Sequence, residues 1–238
     1  MEKTNKAKPM KNLSNRVAIY SDGIGFVEYV DHMGSDLTVV NAARVSFDSH
    51  KNTMNEKDEK LLSYLIRNKH FSPFEHCSIT YRVKVPLFIR SQHMRHRTWS
   101  YNEISRRYTS SNIEFFFPAQ LRRQAEKNKQ CSDGAMVKYR FLLNVLKSHT
   151  EASHAVYDMM IEKGVAREMA RMVLPQNMYT TYYATTKMRN LFEFLALRTD
   201  QQHAQPEIVQ MALAMQKIAG HIWPISMKYY EEYRNVFV

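Results

Sequence analysis

Apolar and polar positions alternate from Ser78 to Val85, with Ile79, Tyr81, Val83 and Val85 falling on one side of the alternation. A two-residue period sends successive side chains to opposite faces, so this run is expected to be a strand with one buried face. It stops at Pro86, which cannot donate to a ladder and instead suits the first turn of a helix reaching about His96. Arg16 to Tyr20 and Phe26 to Val30 are β-rich runs joined by Ser21-Asp22-Gly23-Ile24-Gly25, a hairpin pattern. Asp36 is expected to cap a short helix through Ala43. Glu56 to Asn68 reads as a helix with Leu61, Leu62 and Leu65 on one face. Ile113 to Phe117 reads as a further strand.

A long helix is expected from about Asp133 to Lys163, its apolar stripe being Leu142, Val145, Leu146, Ala152, Val156, Met159 and Met160. Gly164 ends it as the residue after the cap. Tyr179 to Thr185 reads as a strand and Lys187 to Leu197 as a helix. Pro206 and Pro224 each open a terminal helix. Strands gathered early and long helices late predict a mixed α/β domain of the α+β type, with a mostly antiparallel sheet flanked by long helices. The domain organisation is expected to be a basic flexible tail at 1–14 followed by one domain over 15–238.

Composition narrows the class. The 238 residues suffice for one well-buried domain with no staple. Cys77 and Cys131 form no CxxC pair, which argues against a disulfide scaffold or structural zinc. No stretch has the apolar length of a membrane span and the first residues carry no apolar signal run, so the expectation is a cytoplasmic protein without a membrane partner. Glycine-rich phosphate cradles are missing: Gly23-Ile24-Gly25 is half a dinucleotide fingerprint, and neither a P-loop nor an HExxH occurs. His93 and His96 lie three apart, but Arg95 and Arg97 flank His96 and no carboxylate stands at matching spacing, so no metal is expected.

The formal net charge is +11. Lys3, Lys6, Lys8 and Lys11 against Glu2 leave a surplus of eight in the body, and half of that sits in residues 90–107. Its cations are Arg90, Arg95, Arg97, Arg106 and Arg107, with Glu103 the one carboxylate. A charge run is usually a solvated face. Here every cation is an arginine, whose planar fork suits bidentate phosphate recognition. Between these charges stand hydroxyls, an amide and the rings of Trp99, Tyr101 and Tyr108. That inventory suits a nucleotide enzyme and an RNA-binding protein equally well.

The order of the residues separates the two. Arg95-His96-Arg97, seven residues and then Ser105 resembles the RHR signature of flavin-dependent thymidylate synthases. His70-Phe71-Ser72-Pro73-Phe74-Glu75-His76 resembles that family's upstream PFEH element, and Ala42 to Phe47 (AARVSF) its AARVS segment. Glu168 to Pro175 (EMARMVLP) and Leu195 to Gln205 (LALRTDQQHAQ) are similar to its two later blocks, in order.

The resemblance implies a homotetramer that binds FAD, dUMP, methylenetetrahydrofolate and NADPH in sites shared between subunits, with no obligatory nucleic acid. It implies FAD contacts from Ser72, Arg95, His96, Arg97 and Glu103, and from Lys187, Met188, Arg189 and Glu193 of a neighbouring subunit. It implies a dUMP site of Gln92, His93, Met94, Arg95, Glu103, Ile104, Ser105, Arg106, Arg107, Arg171 and Arg198. Arg198, Ser105 and His70 are its candidate catalytic residues. Arg198 faces the uracil, and Ser105 takes a positioning role because no neighbouring base activates it. Glu103 has the alternative of pairing with Arg106 or Arg107, and His70 that of a half-buried structural histidine. Two departures stand out. Lys187 and Glu193 occupy positions where asparagine is common in the family, and the stretch from Arg198 to His203 is one residue longer than the family's spacing. A flavin-binding relative without synthase activity is the remaining alternative.

Overall fold

The computed structural model describes residues 15–127, 132–135 and 140–237; the expected tail at 1–14 and Cys131 lie outside them. Among the described residues, one sheet holds five strands. They are β1 (Arg16–Ala18), β2 (Phe26–Met33), β3 (Ser78–Pro86), β7 (Tyr179–Lys187) and β4 (Ser100–Glu103), in that spatial order. Every pairing is antiparallel. The expected alternation of β3 is realised: Ile79, Tyr81, Val83 and Val85 are fully buried, while Thr80, Arg82 and Lys84 on the opposite face are half-exposed.

Helices cover the apolar face. α6 (Met188–Arg198) and α7 (Pro206–Ile222) contribute Leu191, Leu195, Met211 and Met215 to the same core as β3. Each such side chain taken fully from water contributes roughly 1.5–3 kcal/mol. The Tyr81 hydroxyl, buried beneath them, donates to Met215 O at 3.1 Å. α1 (Asp36–Arg44), α2 (Glu56–Arg67) and α8 (Pro224–Glu232) pack around the far end of this layer.

Several expectations are corrected. Ser35, not Asp36, caps α1, in a reciprocal pair with Thr38. The buried Asp36 carboxylate instead accepts from Ile225 N, Ser226 N and Ser226 Oγ at 3.0, 2.9 and 2.5 Å, so it caps α8 from across the fold. Pro86 is still extended and lies before α3 (Leu87–His93), which ends three residues sooner than expected. Past its end the Tyr101 hydroxyl lies 2.9 and 3.1 Å from the carbonyl oxygens of His93 and His96, its single hydrogen shared between them. Ile113 to Phe117 forms a single bridge, Phe115 to Met178, rather than a strand.

The long helix α4 spans Arg140–Glu162, not Asp133 onward. Ser132–Ala135 is instead a strand, β6, paired with β5 (Arg122–Gln124). Gly134 has φ +55°, a conformation that a helix cannot use. Gly164 does end α4, at φ +78°. Of the residues of α4, Thr150 and Tyr157 are buried, whereas Val145, Val156 and Met159 from its expected apolar stripe are exposed, as is Phe141. Short α5 (Arg167–Ala170) and a 3-10 turn, Arg171–Val173, follow.

Candidate active site

The antiparallel register of β4 against β7 sets Glu103 opposite Tyr182, and Ile104 N continues the ladder to Thr181 O. The chain then turns sharply, with Arg107 N donating to Ser105 Oγ at 3.2 Å. This places Glu103, Ser105, Arg107 and Arg171 around one cleft of about 450 Å3, with Arg90 of α3 and Thr180 of β7 in its wall. Ile104 and Arg106 line it too. Glu103 pairs with Arg90 at 3.1 Å, neither with Arg106 nor with Arg107.

The arginines of the cleft divide by what already holds them. Arg106 is buried and donates to Ser111 O and Asn112 O at 2.6 and 3.2 Å. Desolvation lowers its pKa from the usual guanidinium value. Its terminal nitrogens thus tie down the loop after β4 while the residue also lines the cleft. Arg107 is exposed, lying over the Tyr108 ring and donating to its hydroxyl at 3.3 Å. Arg171 is exposed as well, with Nε on Glu168 O at 3.3 Å. Both keep donors facing the cleft for an anion. The Ser105 hydroxyl shapes the turn, and no histidine or carboxylate among the described residues bonds to it.

A second group lies outside this cleft. Arg198, at the end of α6, donates from Nε to His96 Nε2 at 3.2 Å, and Phe194 meets the His96 ring edge-on at 4.8 Å. Burial first, and Arg198 second, push the His96 pKa down to about 4, so its imidazole is neutral and Nε2 accepts. Gln92 Nε2 donates to Gln205 Oε1, the residue before α7. Met94 is half-buried against the core. His93 is fully buried, its Nδ1 2.9 Å from the Tyr182 hydroxyl and its ring enclosed by Trp99, Tyr101 and Phe194. Burial, then His96 and Arg198, hold its pKa well below the usual histidine range. His93 is therefore a neutral core residue, a correction to its expected place against nucleotide. Arg95 and Arg97 are exposed and bond to no described side chain.

A third group surrounds a cleft of about 510 Å3 that brings His70 and Ser72 together with Ser46 of the AARVSF segment and with Arg189. Glu75 anchors it, accepting from Arg189 Nη1 at 2.8 Å and from Lys187 Nζ at 3.4 Å. The Arg189 hydrogen bond foremost, with Lys187 assisting, lowers the Glu75 pKa. Lys187 and Glu193 do not line this cleft; Glu193 pairs with Arg189 one turn away at 3.4 Å. Met188 is fully buried in the core and its backbone N is bonded to Cys77 O, which corrects its expected cofactor contact. His70 is exposed, not a half-buried structural histidine. Arg189, Ser72 and His70 give this cleft a set of polar donors, while Arg95 and Arg97 do not line it.

Three contributors escaped the sequence reading. Arg90 belongs to the counted basic stretch but to no motif, Thr180 looks like any strand threonine, and Glu75 sits inside a recognised block without an assigned role. The stretch before His203 forms a turn, where Ala204 N bonds Asp200 O and His203 Nδ1 lies 2.7 Å from Asp200. Among the described residues no helix is long and apolar enough to cross a membrane.

The sequence matches the family model described as thymidylate synthase complementing protein over residues 28–225. It is 46% identical over 209 residues to the flavin-dependent thymidylate synthase of Thermus thermophilus, covering 88% of this chain and 76% of that protein. The flavin-dependent thymidylate synthase of Thermosipho africanus is 44% identical over 197 residues, covering 82% of this chain and 85% of its own. Among solved structures, the UMP/dUMP methylase PolB from Streptomyces cacaoi, bound with 5-Br dUMP, superposes with a TM-score of 0.80 at 34% identity. That match covers 87% of this chain and 94% of PolB.

Proposed function

The chain belongs to the flavin-dependent thymidylate synthase family, and from that premise we propose that it converts dUMP to dTMP by reductive methylation. The one-carbon donor is methylenetetrahydrofolate, and NADPH reduces a bound FAD. The observation that carries this reading is the convergence of Arg107 and Arg171 on one cleft whose other ligand-facing groups are Ser105, Ile104 and a single carboxylate, Glu103. Two guanidinium groups with open donors suit a phosphate dianion.

The uracil end is supplied by the second group. A cation facing uracil favours its N3-deprotonated form, because opposite charge stabilises the anion. Arg198 takes that role, held by His96, and the electron-richer ring is more nucleophilic at C5. The flavin, when bound, supplies the redox chemistry that delivers the hydride completing the methyl group. Arg95, Arg97, Arg189, Ser72 and His70 hold it, with Glu75 orienting Arg189.

Arg198 and His96 do not line the cleft of Arg107 and Arg171 within one chain. The two groups are complementary halves of one site, brought together from different copies in a homotetramer. The exposed apolar residues Phe141, Val145, Val156 and Met159 of α4 and the half-exposed polar face of the sheet support such an assembly. Cofactor dependence tests the activity: dTMP formation from dUMP is expected to stop when FAD, NADPH or methylenetetrahydrofolate is withheld, and formation without any flavin overturns the reading.

A further inference from the structure

The cleft holds one carboxylate among its arginines, and the way that carboxylate is held is asymmetric. Arg90 Nε and Thr180 Oγ1 both donate to Glu103 Oε1, at 3.1 and 2.6 Å. Glu103 Oε2 has no hydrogen-bond partner among the described residues. The three side chains arise from α3, β4 and β7, and all three line the cleft. An ionised carboxylate only accepts, so Thr180 must be the donor in its bond, and Oε2 is left as an open acceptor.

We propose that Arg90 and Thr180 are positioning residues that hold Glu103 Oε2 as the acceptor for the sugar 3′-hydroxyl of the bound nucleotide. The inference rests on the reading of this cleft as the dUMP site. The hydrogen-bond donors of dUMP are its 3′-hydroxyl and its N3–H. Its phosphate is repelled by a carboxylate and drawn to Arg107 and Arg171. Its N3 is deprotonated where it meets Arg198, which has donors only and does not line this cleft, so N3 offers Glu103 no hydrogen. The 3′-hydroxyl is the donor that remains for Glu103. Arg90 acts on charge as well as on geometry, because a guanidinium at 3.1 Å offsets the carboxylate that would otherwise repel the incoming dianion.

The test compares dUMP with 2′,3′-dideoxyuridine 5′-monophosphate on the flavin-loaded protein, by equilibrium binding and by turnover. The wild type is expected to favour dUMP by roughly 10- to 100-fold, the range of a hydrogen bond to a charged acceptor. Arg90→Ala and Thr180→Val are each expected to shrink that preference to within about threefold, whereas Thr180→Ser, which keeps the hydroxyl, retains it. Flavin absorbance and thermal midpoint serve as checks of folding for each variant. Equal binding of the two nucleotides by the wild type overturns the inference, as does a full preference surviving in both Arg90→Ala and Thr180→Val. Binding of both nucleotides without dTMP formation counts against the synthase reading instead, and the binding ratio still decides the role of Arg90 and Thr180.

Discussion

Arg198 Nε donates to His96 Nε2 at 3.2 Å, which ties the arginine closing α6 to the centre of the Arg95-His96-Arg97 motif. The bond requires a neutral imidazole, and burial supplies one. Nε is committed to His96, which leaves the terminal nitrogens of the guanidinium as its remaining donors.

Arg198→Ala is expected to lower turnover and weaken dUMP binding together. Removing one partner of a buried charge contact costs roughly 2–5 kcal/mol, which corresponds to a factor of about 30 to several thousand. Steady-state kinetics with dUMP titrated at saturating folate check this, and unchanged kcat/KM would remove Arg198 from the site.

The same pair predicts an acid limit. His96 titrates near 4 in the fold, against roughly 6.5 when unfolded, so between these values the unfolded chain binds more protons. Stability therefore falls as pH drops from about 6.5 towards 4, and buried His93 acts in the same direction. His96→Gln, which removes one of the two titrations, is expected to flatten the pH dependence of the thermal midpoint across this window. A slope identical to the wild type would mean that His96 is not held neutral.

The cysteines are expected to be dispensable for the chemistry. Cys77 is fully buried, and burial, with Asp36 nearby, pushes its thiol up to about 12. It stays protonated at neutral pH and is a poor nucleophile. A folded Cys77→Ala, Cys131→Ala double variant should retain most of its dTMP formation, and loss of all activity would contradict a mechanism without catalytic cysteine.

Much of the scaffold was legible because its signals are local. The alternation of Ile79, Tyr81, Val83 and Val85 marks β3 unaided, and Gly164 marks the end of α4. β4 was not legible: Ser100, Asn102 and Glu103 are polar, and the strand exists because β7 offers an edge to pair with. His93 and His96 look alike in sequence, and the helix end capped by Tyr101 decides that one is core and the other meets Arg198. The motif blocks single out Arg107, Arg171 and Arg198, but spacing along a chain carries no record that the first two share a cleft and the third lies outside it.

Asp36 shows the same limit and yields a stability prediction. Sequence proximity suggests that it caps its own helix, whereas its carboxylate caps α8, beginning at Pro224. Asp36→Ala is expected to cost roughly 2–3 kcal/mol, since a buried cap with several charge-assisted bonds is lost. Urea unfolding measures it, and a cost within about 0.5 kcal/mol of zero, the range of ordinary surface changes, would show that the α8 cap is not made.

A complete nucleotide site is expected to join the Arg107–Arg171 cleft of one copy to the Arg198–His96 pair of another. Co-expression of Arg107→Ala with Arg198→Ala tests it most directly, because each variant alone spoils every site. Mixed assemblies are expected to recover roughly a quarter of wild-type dTMP formation, the statistical share of sites that pair two intact halves. Mixed assemblies that remain as inactive as either variant alone would contradict a shared site.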